Sequence, residues 1–488
     1  MTILNKTWAR GLIPLLAGFI FASGALAGER EPYRYDEESV ATAAYFAAIA
    51  NLANAVMFSG LGEDLITSPY ERDDWLRRAG YVVRPAMAEI AAVGPVYAAA
   101  TPRFLRPPNF AEPETLAWDP SSFDRTLEPS AQAWAMIKIT SPEFHLQFHR
   151  LPENRLAGLM MVPQARLQAE TLEKRLLNAV GHFVARTPDG RFGDPAPRDQ
   201  AAVLWAVSNL ILAGTSARDD YWHAAYRDLT DAEDYRGLAN TALTAVETLA
   251  PGGAGDRALA IEALGRFALA TNDDDRRRQA LDLARGHAAA LTSDPGTGLE
   301  DLALAVYGLT EAARLLRSEK FSSAASRVFR DRLVPLWDDA IGVFRADQES
   351  VVYTPRIVGA VVVALDAIRW YGNEHESAQA RRLYPRFFEV AVVRSGLLRA
   401  SPLPLVAAAY REDEPDAHFA HPALPDTGAA GVPPVFAAEV TFQAGAWTVT
   451  DATFRTADAL FLANMLAMRS DGRADTFLPD DRLEHVLP

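Results

Sequence analysis

The stretch Gly298-Leu-Glu-Asp-Leu-Ala-Leu-Ala-Val-Tyr-Gly-Leu-Thr-Glu-Ala-Ala-Arg-Leu-Leu316 decides how this chain is read. Leu299, Leu302, Val306, Leu309, Ala313 and Leu316 follow one another at three- and four-residue steps, which places them on one face of a helix. Glu300 and Asp301 fall in its first turn, where the helix dipole favours negative charge. The same pattern recurs on both sides. It predicts helices over Leu172–Thr187, Asp199–Leu212, Asp219–Asp228, Asp231–Leu249, Asp256–Ala270, Asp274–Leu291, Phe321–Trp337, Arg356–Tyr371 and Glu376–Val393. Gly, Pro, Asp and Asn clusters break the segments, and links this short fold successive helices into antiparallel hairpins.

The flanks read differently. Ser39–Phe58 and Asp73–Val93 are Ala-rich predicted helices, and Thr101–Pro129 is dense in Pro, Asn and Ser, as an irregular crossover would be. A charged, Pro-rich loop covers Arg411–Pro434. Phe436–Phe442 and Ala446–Thr450 then alternate about Ala444-Gly445 as a β-hairpin, and Ala457–Met468 is a last helix. The expected organisation is a signal peptide over 1–27, a helical and irregular region over 28–164, a ring of hairpins over 165–400, and a covering segment over 401–488.

Composition narrows the function classes. The 488 residues include no Cys, which removes disulfides, thiolate metal sites and cysteine nucleophiles. Lys6 and Arg10, an apolar core over Leu12–Phe21 and the small-x-small Ala25-Leu26-Ala27 describe a secretory signal cleaved before Gly28, so a periplasmic or secreted location is expected, with no membrane span left after cleavage. Losing Lys6 and Arg10 leaves 46 bases against 63 acids, a balance of −17 that disfavours nucleic acid as a partner. Serine chemistry lacks a G-x-S-x-G, and Pro251-Gly252-Gly253-Ala254-Gly255 lacks the Lys of a phosphate loop.

Helices in pairs with Gly-x-Phe turns (Gly190-Arg191-Phe192, Gly342-Val343-Phe344), Glu300-Asp301-Leu302-Ala303 followed by Tyr307-Gly308-Leu309, and Tyr353-Thr354-Pro355-Arg356 opening the next helix carry a likeness. In these the chain resembles the six-hairpin (α/α)6 toroid superfamily, whose members include glycoside hydrolases, polysaccharide lyases, sugar epimerases and toroids without assigned activity. The resemblance implies an all-α toroid with a small C-terminal β-hairpin and an oligosaccharide as the partner. It carries no signature of one member family.

Carbohydrate chemistry needs two carboxyl groups across a cleft and aromatic platforms for the sugar faces. The loops that would line a toroid's cleft offer Asp194 and Asp199, Tyr221-Trp222-His223, Glu300-Asp301, Trp337-Asp338-Asp339, and Tyr353 with Arg356. The expected catalytic acids are Asp338, Asp339, Glu300 and Asp301, with Trp337, Trp222, Tyr353 and Arg356 binding substrate. The structural alternative makes the acids helix and turn caps and the aromatics core. No cofactor is expected. A divalent metal is the alternative, at His145 and His149 or at His418 and His421 among neighbouring acids. Three functions therefore compete: a carbohydrate-active hydrolase or lyase, a non-catalytic binding or assembly module for an envelope partner, and a metal-linked redox accessory protein.

Overall fold

A computed structural model describes residues 35–78, 80, 82, 89–108, 112–141, 155–215, 232–345, 350–399 and 432–467. Its α-helices, in chain order, are α1 (Glu37–Ala53), α2 (Pro69–Arg78), α3 (Pro129–Ile139), α4 (Arg155–Thr171), α5 (Pro197–Thr215), α6 (Arg236–Thr248), α7 (Ala254–Ala270), α8 (Asp274–Ser293), α9 (Leu299–Leu315), α10 (Glu319–Val328), α11 (Pro355–Tyr371), α12 (Glu374–Phe387) and α13 (Thr456–Ala467).

Packing arranges twelve of these in two rings. Helix α3 lies against α5, α5 against α7, α7 against α9, α9 against α11, α11 against α13, and α13 against α3, so the inner ring closes. Each inner helix has an outer partner: α4 on α3, α6 on α5, α8 on α7, α10 on α9, α12 on α11 and α1 on α13. Inner and outer helices alternate along the chain, so all six inner helices run the same way and their N-termini gather at one end. This is the (α/α)6 toroid architecture expected from the sequence.

Burial separates the rings. From Gln200 to Ala213 every residue of α5 is buried, and so is every residue of α11 from Val358 to Arg369, whereas α8 buries only Ala280, Leu281, Ala284, Ala288 and Leu291. Small residues let inner helices approach closely. A Cβ on Gly308 of α9 would stand 2.7 Å from the Cα of Ala258 on α7, and one on Gly359 of α11 would stand 2.9 Å from the Phe461 ring of α13.

The ring is wider than the segment 165–400 expected from the sequence. Helices α3 and α13 are full members of the inner ring, so neither the N-terminal region nor the last helix is a cover packed on it. Three expected helices also change. Leu172–Thr187 gives way, after a π turn over Leu172–Leu176, to turns and bridges. Asp73–Val93 does not continue as one helix: α2 ends at Arg78, Gly80 has a φ of 83°, and Val93–Val96 is a strand. Phe321–Trp337 ends earlier, α10 passing through π and 3-10 turns before Trp337. The hairpin near the end is present. Glu439–Gln443 pairs with Ala446–Asp451, and Ala444 and Gly445 both take positive φ in the tight turn between them. A third strand, Val351–Tyr353, joins its other edge. The expected helix Asp219–Asp228 and residues 1–34 lie outside the described residues.

Among the described residues no helix is long and apolar enough to cross a membrane.

Candidate functional site

Six parallel helices bring six first turns to one mouth, and acids dominate them. Glu128 precedes α3, Asp199 lies in the first turn of α5, Asp256 in that of α7, Glu300 and Asp301 in that of α9, and Asp458 in that of α13. Arg198, Arg356 and Arg455 are the cations among them. Pro129, Pro197 and Pro355 each stand first in their helix, where proline's missing N–H costs nothing.

These acids fall into two groups. Arg356 reaches one Glu300 oxygen through Nη2 at 2.6 Å and Nε at 3.2 Å, joining α11 to α9. Asp301 accepts from the Gly255 N–H at 2.9 Å and so caps α7 from the neighbouring helix. Gly296 folds against that carboxylate with a φ of 79°, and a Cβ there would come within 2.6 Å of the Asp301 Cβ. Asp256 accepts from the Gly252 N–H at 2.9 Å and faces Arg198 at 3.6 Å. Glu300, Asp301 and Asp256 are thereby tied to named donors.

In Glu128, Asp199 and Asp458 burial outweighs the donors and cations nearby. Burial, then the neighbouring charges of Asp199 and Asp458, pushes the Glu128 carboxyl up to about 7. Burial also raises Asp199 to about 6, although the Ser130 hydroxyl and the guanidiniums of Arg198 and Arg356 pull the other way. Asp458 is raised by burial against the opposing pull of Arg356 and Arg455. All three residues keep part of their surface in solvent, so they are accessible from the mouth.

An aromatic floor lies beneath them. Trp134 and Trp205 each sit six residues further along their helices than Glu128 and Asp199, about 9 Å at the rise of an α-helix. Trp134 packs edge-on against Trp205 at 5.5 Å and against Phe461 of α13 at 5.1 Å, closing the axis of the ring. Arg356 stacks over the same Phe461 ring at 5.3 Å. Carboxyls thus stand at the first turns of the inner helices, with indoles further along the same helices.

The structure places the residues expected from the sequence as follows. Glu300, Asp301, Arg356 and Asp199 share the mouth. Asp194 lies exposed on the loop before α5. Trp337-Asp338-Asp339 lies outside the inner ring, on a two-stranded hairpin with Val343-Phe344. Asp338 pairs with Arg345 at 2.9 Å and accepts from the Ala340 and Ile341 N–H groups, contacts that hold its carboxyl below the usual range. Asp339 accepts from the Trp337 indole N–H at 2.6 Å, and the Trp337 ring packs on Phe344. Tyr353 is buried, its hydroxyl donating to the Phe344 carbonyl at 2.6 Å and its ring stacked on Trp447, so no face is left for a sugar. Turn capping and core packing account for the Asp338 and Tyr353 contacts. Trp222, His145, His149, His418 and His421 lie outside the described residues. Among the described residues no three potential ligands gather as a metal site.

Glu128, Asp458 and Arg198 were missed by the sequence reading. Glu128 had a usable signal, an acid directly before a proline that opens a helix.

No protein-family model matches the chain, and no curated protein matches it. Among solved structures, the cellulase Cel9M of C. cellulolyticum is similar at 12% identity, over 89% of this chain and 98% of that one, with a TM-score of 0.46. A D-mannose isomerase is similar at 11% identity, over 82% of this chain and 97% of that one, with a TM-score of 0.45.

Proposed function

We propose that the protein is an exported carbohydrate-active enzyme, a hydrolase or lyase working on oligosaccharides at the mouth of its inner ring. The observation that carries this reading is the convergence of Glu128, Asp199 and Asp458 on one accessible rim, with Glu128 and Asp199 shifted toward neutrality. A carboxyl that holds its proton near pH 7 serves as general acid, and a neighbour of lower pKa serves as base or nucleophile. Glu128 takes the first role and Asp199 the second. Arg356, braced by Glu300, presents a guanidinium to substrate hydroxyls. In hydrolysis Glu128 gives its proton to the leaving glycosidic oxygen while Asp199 activates the water that adds to the anomeric carbon; in elimination Asp199 takes the ring C–H proton as Glu128 protonates the leaving oxygen.

The test is a broad glycan screen of the wild type, read by reducing ends and by unsaturated products, followed by Glu128→Gln and Asp199→Asn on any glycan turned over. Both variants are expected to lose at least about a hundredfold in turnover, the usual scale of general acid–base catalysis. Turnover that survives both substitutions moves the chemistry elsewhere.

A second reading rests on the filled axis. Trp134, Trp205 and Phe461 pack together about 9 Å along the helices from the rim acids, as suits a non-catalytic module that binds an envelope partner across its face. An empty glycan screen together with a protein captured by the wild type and lost with rim substitutions favours this reading.

A further inference from the structure

The Gly-x-Phe echo in the sequence, Gly190-Arg191-Phe192 and Gly342-Val343-Phe344, marks two hairpins that each lead from an outer helix to the next inner one, α4 to α5 and α10 to α11. Both turn on a glycine of positive φ, 88° at Gly190 and 85° at Gly342. In each the Phe stands opposite a residue of the other strand, Phe344 opposite Trp337 and Phe192 opposite Arg186. The two rings then differ. Phe344 is fully buried against Trp337 and Phe387, whereas Phe192 keeps 52% of its surface in solvent. Core packing accounts for the first Phe and does not account for the second.

Backbone contacts tie Phe192's hairpin to the neighbours of both acids proposed to act at the mouth. Leu127, the residue before Glu128, exchanges two backbone hydrogen bonds with Arg186, at 2.9 and 2.8 Å. Gln200, the residue after Asp199, accepts from the Phe183 N–H at 2.9 Å and donates to the Phe183 carbonyl at 2.8 Å. Across the hairpin, Thr187 N–H donates to the Arg191 carbonyl at 3.0 Å and Gly193 N–H to the Ala185 carbonyl at 2.9 Å. Two strand spacings separate Leu127 from Phe192, about 10 Å between Cα atoms. The Arg186 guanidinium lies 5.6 Å from the centre of the Phe192 ring and backs it.

From this placement we infer that Phe192 is a sugar-stacking platform, binding a unit of the oligosaccharide further along the chain from the bond that Glu128 and Asp199 act on. The inference rests on the reading of the mouth as a glycan site. A sugar ring presents a face of C–H groups, and an exposed aromatic ring on a hydrogen-bonded hairpin is the complementary surface. Its distance from Leu127 puts the ring beyond the sugar under attack. Longer oligosaccharides therefore gain from it and short ones do not.

Full-length wild type and Phe192→Ala are titrated by calorimetry with cellotetraose, mannotetraose, chitotetraose and tetragalacturonate, and with the corresponding disaccharides. At least one tetrasaccharide is expected to bind the wild type. Phe192→Ala should weaken it about threefold to tenfold, the span of one aromatic contact, and leave the disaccharide unchanged. Phe192→Trp should restore the affinity. Because the ring is exposed, Phe192→Ala should keep the wild-type unfolding midpoint. Equal tetrasaccharide affinity in wild type and Phe192→Ala overturns the proposal, as does a midpoint lowered in the manner of a core aromatic, or a panel in which no tetrasaccharide binds. Turnover separates the two readings. On a glycan that is cleaved, Phe192→Ala should raise KM with kcat retained, whereas binding that depends on Phe192 without any turnover by the wild type defeats the enzyme reading and leaves the platform in place.

Discussion

The rim of the inner ring and the Trp337–Phe344 hairpin both set carboxyls near aromatic rings, yet they treat the carboxyls in opposite ways. On the hairpin, Asp338 gains a guanidinium and two backbone N–H groups and is held ionised. At the rim, Glu128 gains burial and the like charges of Asp199, Asp458 and Asp124 and is pushed toward neutrality. An indole nearby does not by itself raise a carboxyl pKa. The decisive factor is whether donors follow the carboxylate out of water, and only the fold supplies or withholds them.

The comparison can be broken at several points. The largest effect is expected from Trp134→Ala, which removes the indole between Trp205 and Phe461. Denaturant unfolding should show a loss of ~3–5 kcal/mol, the usual range for a buried aromatic truncation. A loss under about 1 kcal/mol would mean that the floor is not packed as described.

Next comes Glu128→Gln. Charging Glu128 costs more in the folded chain than in the unfolded one, where its pKa is 4.5. Its protonated form therefore favours folding, and stability falls as pH rises from about 4.5 through about 7. Glutamine stays neutral throughout. The variant should gain about 2 kcal/mol near pH 8, discounted for partial exposure, and little near pH 4. Equal stability at both pH values would remove the desolvated acid from the account.

Asp338→Asn should act in the opposite sense and less strongly. The depressed pKa of Asp338 contributes stability above the unfolded value of 3.8 that is lost as pH falls through the folded value. Removing the charge should cost about 1 kcal/mol at neutral pH and nothing in strong acid. The smallest effect is expected at Asp339, which is 78% exposed. Asp339→Asn should stay within about 0.5 kcal/mol by thermal unfolding.

The sequence carried five helices of each ring and missed the neighbouring pair α3 and α4. Helices such as α9 retain a polar stripe and a dipole-matched first turn, so periodicity exposes them. Helix α3 does not. Pro129-Ser-Ala-Gln-Ala-Trp-Ala-Met-Ile-Lys-Ile139 is buried almost all round, because it faces the axis and its neighbours on every other side, and a helix without a wet face shows no period. Missing α3 hid Glu128 and left the ring appearing to start near residue 165. Glu128 and Asp458 are 330 residues apart along the chain, and closure of the ring through α13 and α3 is what unites them. That closure is a long-range packing fact with no local signature. Trp337-Asp338-Asp339 stood out because its residues are adjacent in sequence, and adjacency says nothing about the guanidinium of Arg345.

The most direct test of the rim is a titration of the side-chain carboxyls by 13C NMR in the wild type, Glu128→Gln and Asp199→Asn. Carboxyl resonances are expected to titrate near pH 7 and near pH 6, the first missing from Glu128→Gln and the second from Asp199→Asn. A wild-type protein in which every carboxyl titrates below about pH 5, the ordinary range for Asp and Glu, would contradict the account.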